Sequence, residues 1–234
     1  MKCYYFINWR QAFPVQIEIP QMVDLNEVKV VSFDAEGTLV TPDFSYAVWF
    51  EAIPEFYAER RGVNLELARK VIEEEYQKVG DQRLEWYDVR YWFDKLDLGT
   101  PDQMMERCKS KVRYYPEVKE VLASLSGSYK LVVASGSMQD FLKHLLHDVE
   151  PYFTRIFSSL TDYKQLKTSE FYLKMCQAME VKPSQVVHVG DNWQFDFVAP
   201  KEVGIEAFYL DRKRQANNQN SIASLLELKA RLTD

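Results

Sequence analysis

The stretch "VVSFDAEGTL", residues 30–39, runs from apolar β-branched residues into two carboxylates and a Gly-Thr pair. The segment Val28–Phe33 reads as a strand buried on both faces of a parallel sheet, because such strands are almost continuously apolar. Asp34 and Glu36 then stand where that strand leaves the core. Two acids at a strand mouth repel each other and lose hydration, so their placement calls for a cation or a chemical task.

Further along the chain, similar short runs recur at Lys130–Ala134, Arg155–Ser158, Val186–Val189 and Ala207–Leu210. Helical spacing of apolar residues falls between them, in Val118–Leu125, Met138–Val149, Glu170–Met179 and Ile222–Leu232. Strands alternating with helices predict an α/β fold with a doubly wound parallel sheet. The alternation breaks between about Asp43 and Tyr115, where Val48–Arg61, Leu65–Val79 and Trp86–Leu96 carry helical periods and many aromatic residues. This predicts an inserted α-helical cap domain, residues 43–114, within a core made of 27–42 and 115–234. Residues 1–26 are aromatic, contain two prolines and lack a period, so they read as an N-terminal extension or a β arm. Arg212–Ser221 is the one polar linker.

The chain has 234 residues, of which 47% are hydrophobic, enough for a sizeable core. A net charge of −6 gives no general attraction to nucleic acid or to anionic membrane. No run reaches the roughly 18 apolar residues of a membrane span. Cys3, Cys108 and Cys176 form no metal or disulfide pattern. Together with the lack of a secretory h-region, these features predict a cytoplasmic protein with reduced thiols. The aromatic N-terminal residues are a candidate homodimer contact.

In open α/β sheets, ligands bind beyond the carboxyl ends of the strands. Those ends carry Asp34, Glu36 and Thr38; then Ser135-Gly136-Ser137; then Gly190-Asp191-Asn192 with Asp196 five residues beyond Asp191. Lys164 and Lys167 follow the Arg155–Ser158 strand. Clustered carboxylates with no Cys or His pattern suit Mg²⁺. A metal, a lysine and a hydroxyl around three oxygens are the requirements of phosphoryl transfer, and an aspartate can be its nucleophile.

These motifs resemble the haloacid dehalogenase superfamily of hydrolases, most of which are phosphatases. The family's DxDGT is matched by Asp34-Ala35-Glu36-Gly37-Thr38 with one change, its strand-end Ser/Thr by Ser135, its lysine by Lys167 (Lys164 being the other register), and its GDxxxxD by Gly190-Asp191 and Asp196. "YYPEVKEVLASL", residues 114–125, is similar to the segment by which the family's chains re-enter the core. The resemblance covers about residues 28–232 and implies a Rossmann-like core, a helical cap, Mg²⁺ and a small phosphorylated metabolite as substrate. It implies Asp34 as nucleophile and metal ligand, the Glu36 carbonyl and Asp191 as further ligands, and Asp196 as orienting the metal's surroundings. It implies that Ser135 and Lys167 hold the phosphoryl group and that Glu36 is the acid–base group, where the family's phosphatases carry Asp.

The family's 2-haloacid dehalogenases read DAYGT at this place, lack the acidic pair and use no metal. Their chemistry is the alternative, with a weakly active binding protein as another. In the bland readings, Ser135 or Ser137 caps the next helix, Asp191 and Asp196 cap theirs, Glu36 is a solvated loop acid and His188 is a buried neutral core residue. Most cap aromatics are packing residues. Arg83, Arg90 and Lys95 are candidate cap cations for a second charged group on the substrate.

Overall fold

The computed structural model describes residues 25–215 and 219–233. The expectations for an N-terminal arm, for Cys3 and for a dimer contact in residues 1–26 fall, but for its last two residues, outside that range.

Strands β1 (Val30–Phe33), β2 (Lys130–Ser135), β3 (Arg155–Ser158), β4 (Val186–Gly190), β5 (Glu206–Leu210) and β6 (Ser221–Ile222) form one sheet. All neighbouring pairs are parallel, in the order β3-β2-β1-β4-β5-β6. Alternate residues serve opposite faces. Val31, Phe33, Val133, Val187 and Val189 join one apolar cluster, and Val30, Val132, Ala134 and Val186 join the other. Both faces of the sheet are therefore covered, as the apolar strand sequences require. Each fully buried Val or Phe among them contributes roughly 1.5–3 kcal/mol.

β1 is central. The chain goes outward to β2 and β3 on one side, then returns to place β4 on the other. That reversal between β1 and β4 is a topological switch point, the place at which open α/β sheets bind their ligands. Phe33 pairs with Val189. The Asp34 amide donates to the Val189 carbonyl at 2.9 Å, so Asp34 and Asp191 emerge side by side.

Between β1 and β2 every described regular element is helical. Asn64 caps Leu65–Val79 by accepting from the Leu67 amide at 2.9 Å, and Asp88 caps Val89–Leu96 by accepting from Arg90 at 2.8 Å. The helix predicted over Val48–Arg61 is continuous but irregular. A π-helical stretch, Ala47–Ala52, runs into Ile53–Arg61. Pro54 at the start of the second segment has no amide to give, and the widened turn absorbs the missing bond. The same arrangement recurs where the π-helical Trp193–Val198 meets Pro200.

The aromatics of this region mostly pack, as expected. Trp92 is fully buried, with the Tyr76 ring edge-on at 4.6 Å. Trp49 stacks on Phe141 at 5.6 Å, and Phe141 belongs to the helix Gln139–Leu145 that follows β2. The helical block and the sheet thus share one apolar cluster.

The sequence misplaced some boundaries. The helix expected over Met138–Val149 spans Gln139–Leu145, and that expected over Ile222–Leu232 spans Leu225–Thr233. Ser221–Ile222 is instead the edge strand β6, paired with Tyr209 and Leu210. Two residues are too few to show a strand period.

Candidate active site

The register of β1 and β4 delivers Asp34 to a nearly buried position, 8% exposed. Lys167, 4% exposed, reaches it from the loop before the helix Ser169–Ala178, with Nζ 2.7 Å from Asp34 Oδ1. The same Nζ also donates to Asp196 Oδ1. Lys164 is exposed, in a left-handed conformation at the end of Ser159–Tyr163. Of the two lysines, Lys167 is the one that the fold brings to Asp34.

Asp196 is committed on both oxygens. Oδ1 takes Lys167 and, at 3.3 Å, His188 Nε2; Oδ2 accepts the Asn192 amide at 2.9 Å. Asp196 and Asp191 do not cap the Trp193–Val198 turn; Asn192 does, accepting from Phe195 at 3.0 Å. One oxygen from each of Asp34, Asp191 and Asp196 lies within 4.8 Å of the others. This is the one such cluster among the described residues.

An oxygen-only set of this kind fits a hard divalent cation. The Glu36 carbonyl accepts no hydrogen bond among the described residues, whereas both Asp196 oxygens are engaged. Two glycines make the cluster sterically feasible. A Cβ on Gly37, whose φ is +77°, would stand 2.0 Å from an Asp191 oxygen, and one on Gly190 would stand 2.4 Å from Asp196 Cγ. The glycines of "EGT" and "VGD" thus have a packing cause.

Electrostatics separate the three acids. Burial, opposed by Lys167 and reinforced by Asp196, pushes Asp34 up to about 7. Burial would raise Asp196 as well, but Lys167 and His188 outweigh it and hold it at about 2. Crowding by protein atoms, then the charges of Asp34 and Asp196, raise Asp191. Because Asp191 is open to solvent, the repulsion between carboxylates is its stronger influence. Burial opposes the charge on Lys167, and the two aspartates more than restore it.

Glu36 is half-buried and not a freely solvated loop acid. The Ser137 hydroxyl donates to its Oε2 at 3.0 Å. Burial raises its pKa, against the nearby hydroxyls of Ser45 and Ser137; the Ser45 hydroxyl does not reach hydrogen-bond geometry. This corrects the reading of Ser137 as a helix cap. Met138 precedes the helix and offers no side-chain cap; the Gln139 amide donates instead to Thr161 Oγ1 at 3.0 Å. Ser135 is not a cap either: its buried Oγ accepts the Ser137 amide at 3.1 Å, and Ser158 Oγ donates to the Ser137 carbonyl at 2.7 Å. Three serines from two strand ends fix this loop.

Behind the cluster, His188 is fully buried, as its sequence position suggested. Tyr172 Oη donates to the Phe195 carbonyl at 2.9 Å, so it accepts from His188 Nε2 at 3.0 Å. His188 Nδ1 then accepts from Ser32 at 2.9 Å. The imidazole is neutral, and burial pulls its pKa from 6.5 to about 4. A neutral folded His binds fewer protons than an unfolded one between those values, so it makes stability rise with pH across that window, by about 3 kcal/mol in all. In urea titrations from pH 4 to 7.5, His188→Asn should lose this part of the wild-type slope. Equal slopes would refute the neutral imidazole. Sequence reasoning missed Ser32 and Tyr172, which carry no motif.

The cap cations are all engaged. Arg83 pairs with Glu85 at 2.6 Å, Lys95 with Glu75 at 3.1 Å, and Arg90 with Asp140 at 2.7 Å.

A parallel sheet thus carries carboxylates, a lysine and a serine at the carboxyl ends of the strands around its switch point. The sequence matches the haloacid dehalogenase-like hydrolase profile over residues 28–204, and the chain belongs to that family. A stretch of 72 residues is 31% identical to the GMP/IMP nucleotidase YrfG of Escherichia coli, covering 31% of this chain and 32% of that protein. The match thus spans about a third of the length of this curated relative. Among solved structures, a HAD phosphatase from Thermococcus onnurineus is similar with a TM-score of 0.77 and 23% identity, covering 88% of this chain and 98% of that one. A 2-haloacid dehalogenase from Pseudomonas syringae pv. Tomato has a TM-score of 0.63 and 22% identity, covering 87% and 97%. A magnesium-bound putative HAD-hydrolase, YfnB from Bacillus subtilis, has a TM-score of 0.63 and 16% identity, covering 88% and 99%. At these identities the structural likeness establishes the fold. Among the described residues, no helix is long and apolar enough to cross a membrane.

Proposed function

We propose that the chain is a Mg²⁺-dependent phosphatase of small phosphate monoesters, working through an aspartyl-phosphate on Asp34. The observation that carries this reading is the acidic cluster. Asp191 stands open to solvent beside Asp34, while Asp196 is tied up by Lys167 and His188. Metal-free displacement of a halide has no use for the extra carboxylate, which would only repel the nucleophile.

Asp34, Asp191 and the Glu36 carbonyl would hold the ion, which when bound would offset the negative charge of the carboxylates and of the phosphoryl oxygens. Asp34 supplies an oxygen lone pair to phosphorus. As that P–O bond forms, the bond to the leaving oxygen breaks and its electron pair departs with that oxygen. Glu36, kept protonated more readily by burial, gives its proton to the leaving oxygen. The resulting Glu36 carboxylate then takes a proton from a water that attacks the phosphorus, releasing phosphate and restoring Asp34. Lys167 and Ser135 hold the transferring group. The relatives named as a phosphatase and a nucleotidase support a phosphoester substrate.

The test is phosphate release from para-nitrophenyl phosphate with Mg²⁺ and with EDTA. Metal-dependent turnover is expected; halide release from 2-chloropropionate without metal would overturn the reading in favour of dehalogenation. Glu36→Gln should lower kcat about 10²–10⁴-fold. Glu36→Asp should also lose activity, about 10²-fold, because the shorter side chain cannot keep both its place and the Ser137 hydrogen bond. A faster Glu36→Asp enzyme would show that the glutamate is a handicap.

A further inference from the structure

Arg212 opens the segment that reads in sequence as a polar linker, yet its side chain is mostly buried, 20% exposed. It crosses from the end of β5 to the loop after β1. Nε donates to the Gly37 carbonyl at 3.2 Å and Nη2 to the Thr38 carbonyl at 2.8 Å. Nη1 pairs with Glu117 Oε1 at 2.7 Å, and the guanidinium lies 3.5 Å from the centre of the Tyr115 ring. Tyr115 and Glu117 belong to the stretch that leads from the helical block back into the core, and the Tyr115 amide donates to the Leu39 carbonyl at 3.1 Å.

The planar fork suits two successive carbonyls, and stacking on the ring fixes its plane. The two carbonyls it holds follow directly on Glu36. Gly37 is in the left-handed region and in contact with Asp191, so this loop has no slack on its inner side. Ser137 fixes the tip of the Glu36 side chain, and Arg212 fixes the backbone from which it springs.

We infer that Arg212 is a positioning residue: its clamp on the Gly37 and Thr38 carbonyls sets where the Glu36 carboxyl meets the leaving oxygen. This rests on the proposed acid role of Glu36. Lysine at 212 would keep the charge toward Glu117 but could not span both carbonyls while stacking on Tyr115.

The experiment compares kcat/KM on two esters. Para-nitrophenolate leaves without help from an acid, whereas an alkyl alkoxide needs the proton. The ratio kcat/KM reports steps up to the first transfer, before Glu36 acts as base. Arg212→Lys should lose about 10²-fold on an alkyl phosphate and no more than about threefold on para-nitrophenyl phosphate. Glu117→Gln, which weakens the hold on Arg212 but leaves its bonds to the two carbonyls in place, should show the same pattern more weakly, and it carries the test if Arg212→Lys does not fold. Glu36→Gln should show the pattern most strongly. Equal losses on both esters in the Arg212 and Glu117 variants, or no loss, would reduce Arg212 to a scaffold residue and overturn the inference. If Glu36→Gln itself shows no dependence on the leaving group, the acid reading fails, and the inference fails with it.

Discussion

Asp34→Asn should abolish turnover, with kcat reduced by at least about 10⁴-fold, while leaving the fold intact. An amide oxygen at this place has almost no nucleophilicity toward phosphorus. It can still accept from Lys167, and the backbone amide of residue 34 still donates to Val189. The substitution also removes one of three crowded carboxylates, so the lost ion pair is partly offset by relief of repulsion. Circular dichroism should therefore give a Tm within a few degrees of wild type. A variant that keeps a tenth of the activity would remove Asp34 from the reaction; an inactive variant that is also unfolded would show that the site is structural as well.

Lys167→Met should have the largest effect on stability. The lysine is 4% exposed and stands between two acids, Asp34 and Asp196. Methionine fills the space but leaves both carboxylates buried without a counter-charge. Breaking a buried pair in this way costs about 3–5 kcal/mol. The loss should depend on pH, and its sign can be stated. With lysine present, Asp196 is held at about 2, below its ordinary value of 3.8, so its contribution is present above pH 3.8 and is lost as pH falls through about 2. Asp34 is already raised to about 7 with the lysine present; without it Asp34 should rise further and Asp196 should move above its ordinary value, so the folded variant gains more than the wild type by binding protons as pH falls. The gap between wild type and variant should thus be wide at pH 8 and narrow at pH 4.5. Urea denaturation in EDTA at the two pH values measures it. A gap of under about 1 kcal/mol at pH 8 would mean that water or rearrangement solvates the acids, and that the pairing is not what holds them.

Much of this molecule was legible in its sequence, for identifiable reasons. The strands declared themselves because both faces of a parallel sheet are covered, which forces apolar runs such as "KLVVA" and "VVHV". The acids stood out because they follow those runs directly. The helical block between β1 and β2 showed through its periods and its aromatics. What was misread depended on partners remote in sequence. Ser137 has the local signature of a helix cap, but its hydroxyl is drawn 101 residues away to Glu36. The choice of Lys167 over Lys164 was not a misreading, but it is the path of the loop that buries the one and exposes the other. Arg212 sits in a stretch whose composition says linker, and its partners lie 175 and 174 residues earlier.

Most element types, the α/β class and the set of reactive groups at the strand ends are written locally in the chain. These follow from local periodicity and from the cost of placing charge beside a buried strand. The tertiary structure decided which groups meet. The order of the strands brings β1 against β4, and so Asp34 beside Asp191; the loop after β3 swings Lys167 between Asp34 and Asp196; the end of β5 returns Arg212 to the β1 loop. No local pattern encodes those meetings, because they are set by sheet order and by packing across more than a hundred residues of chain.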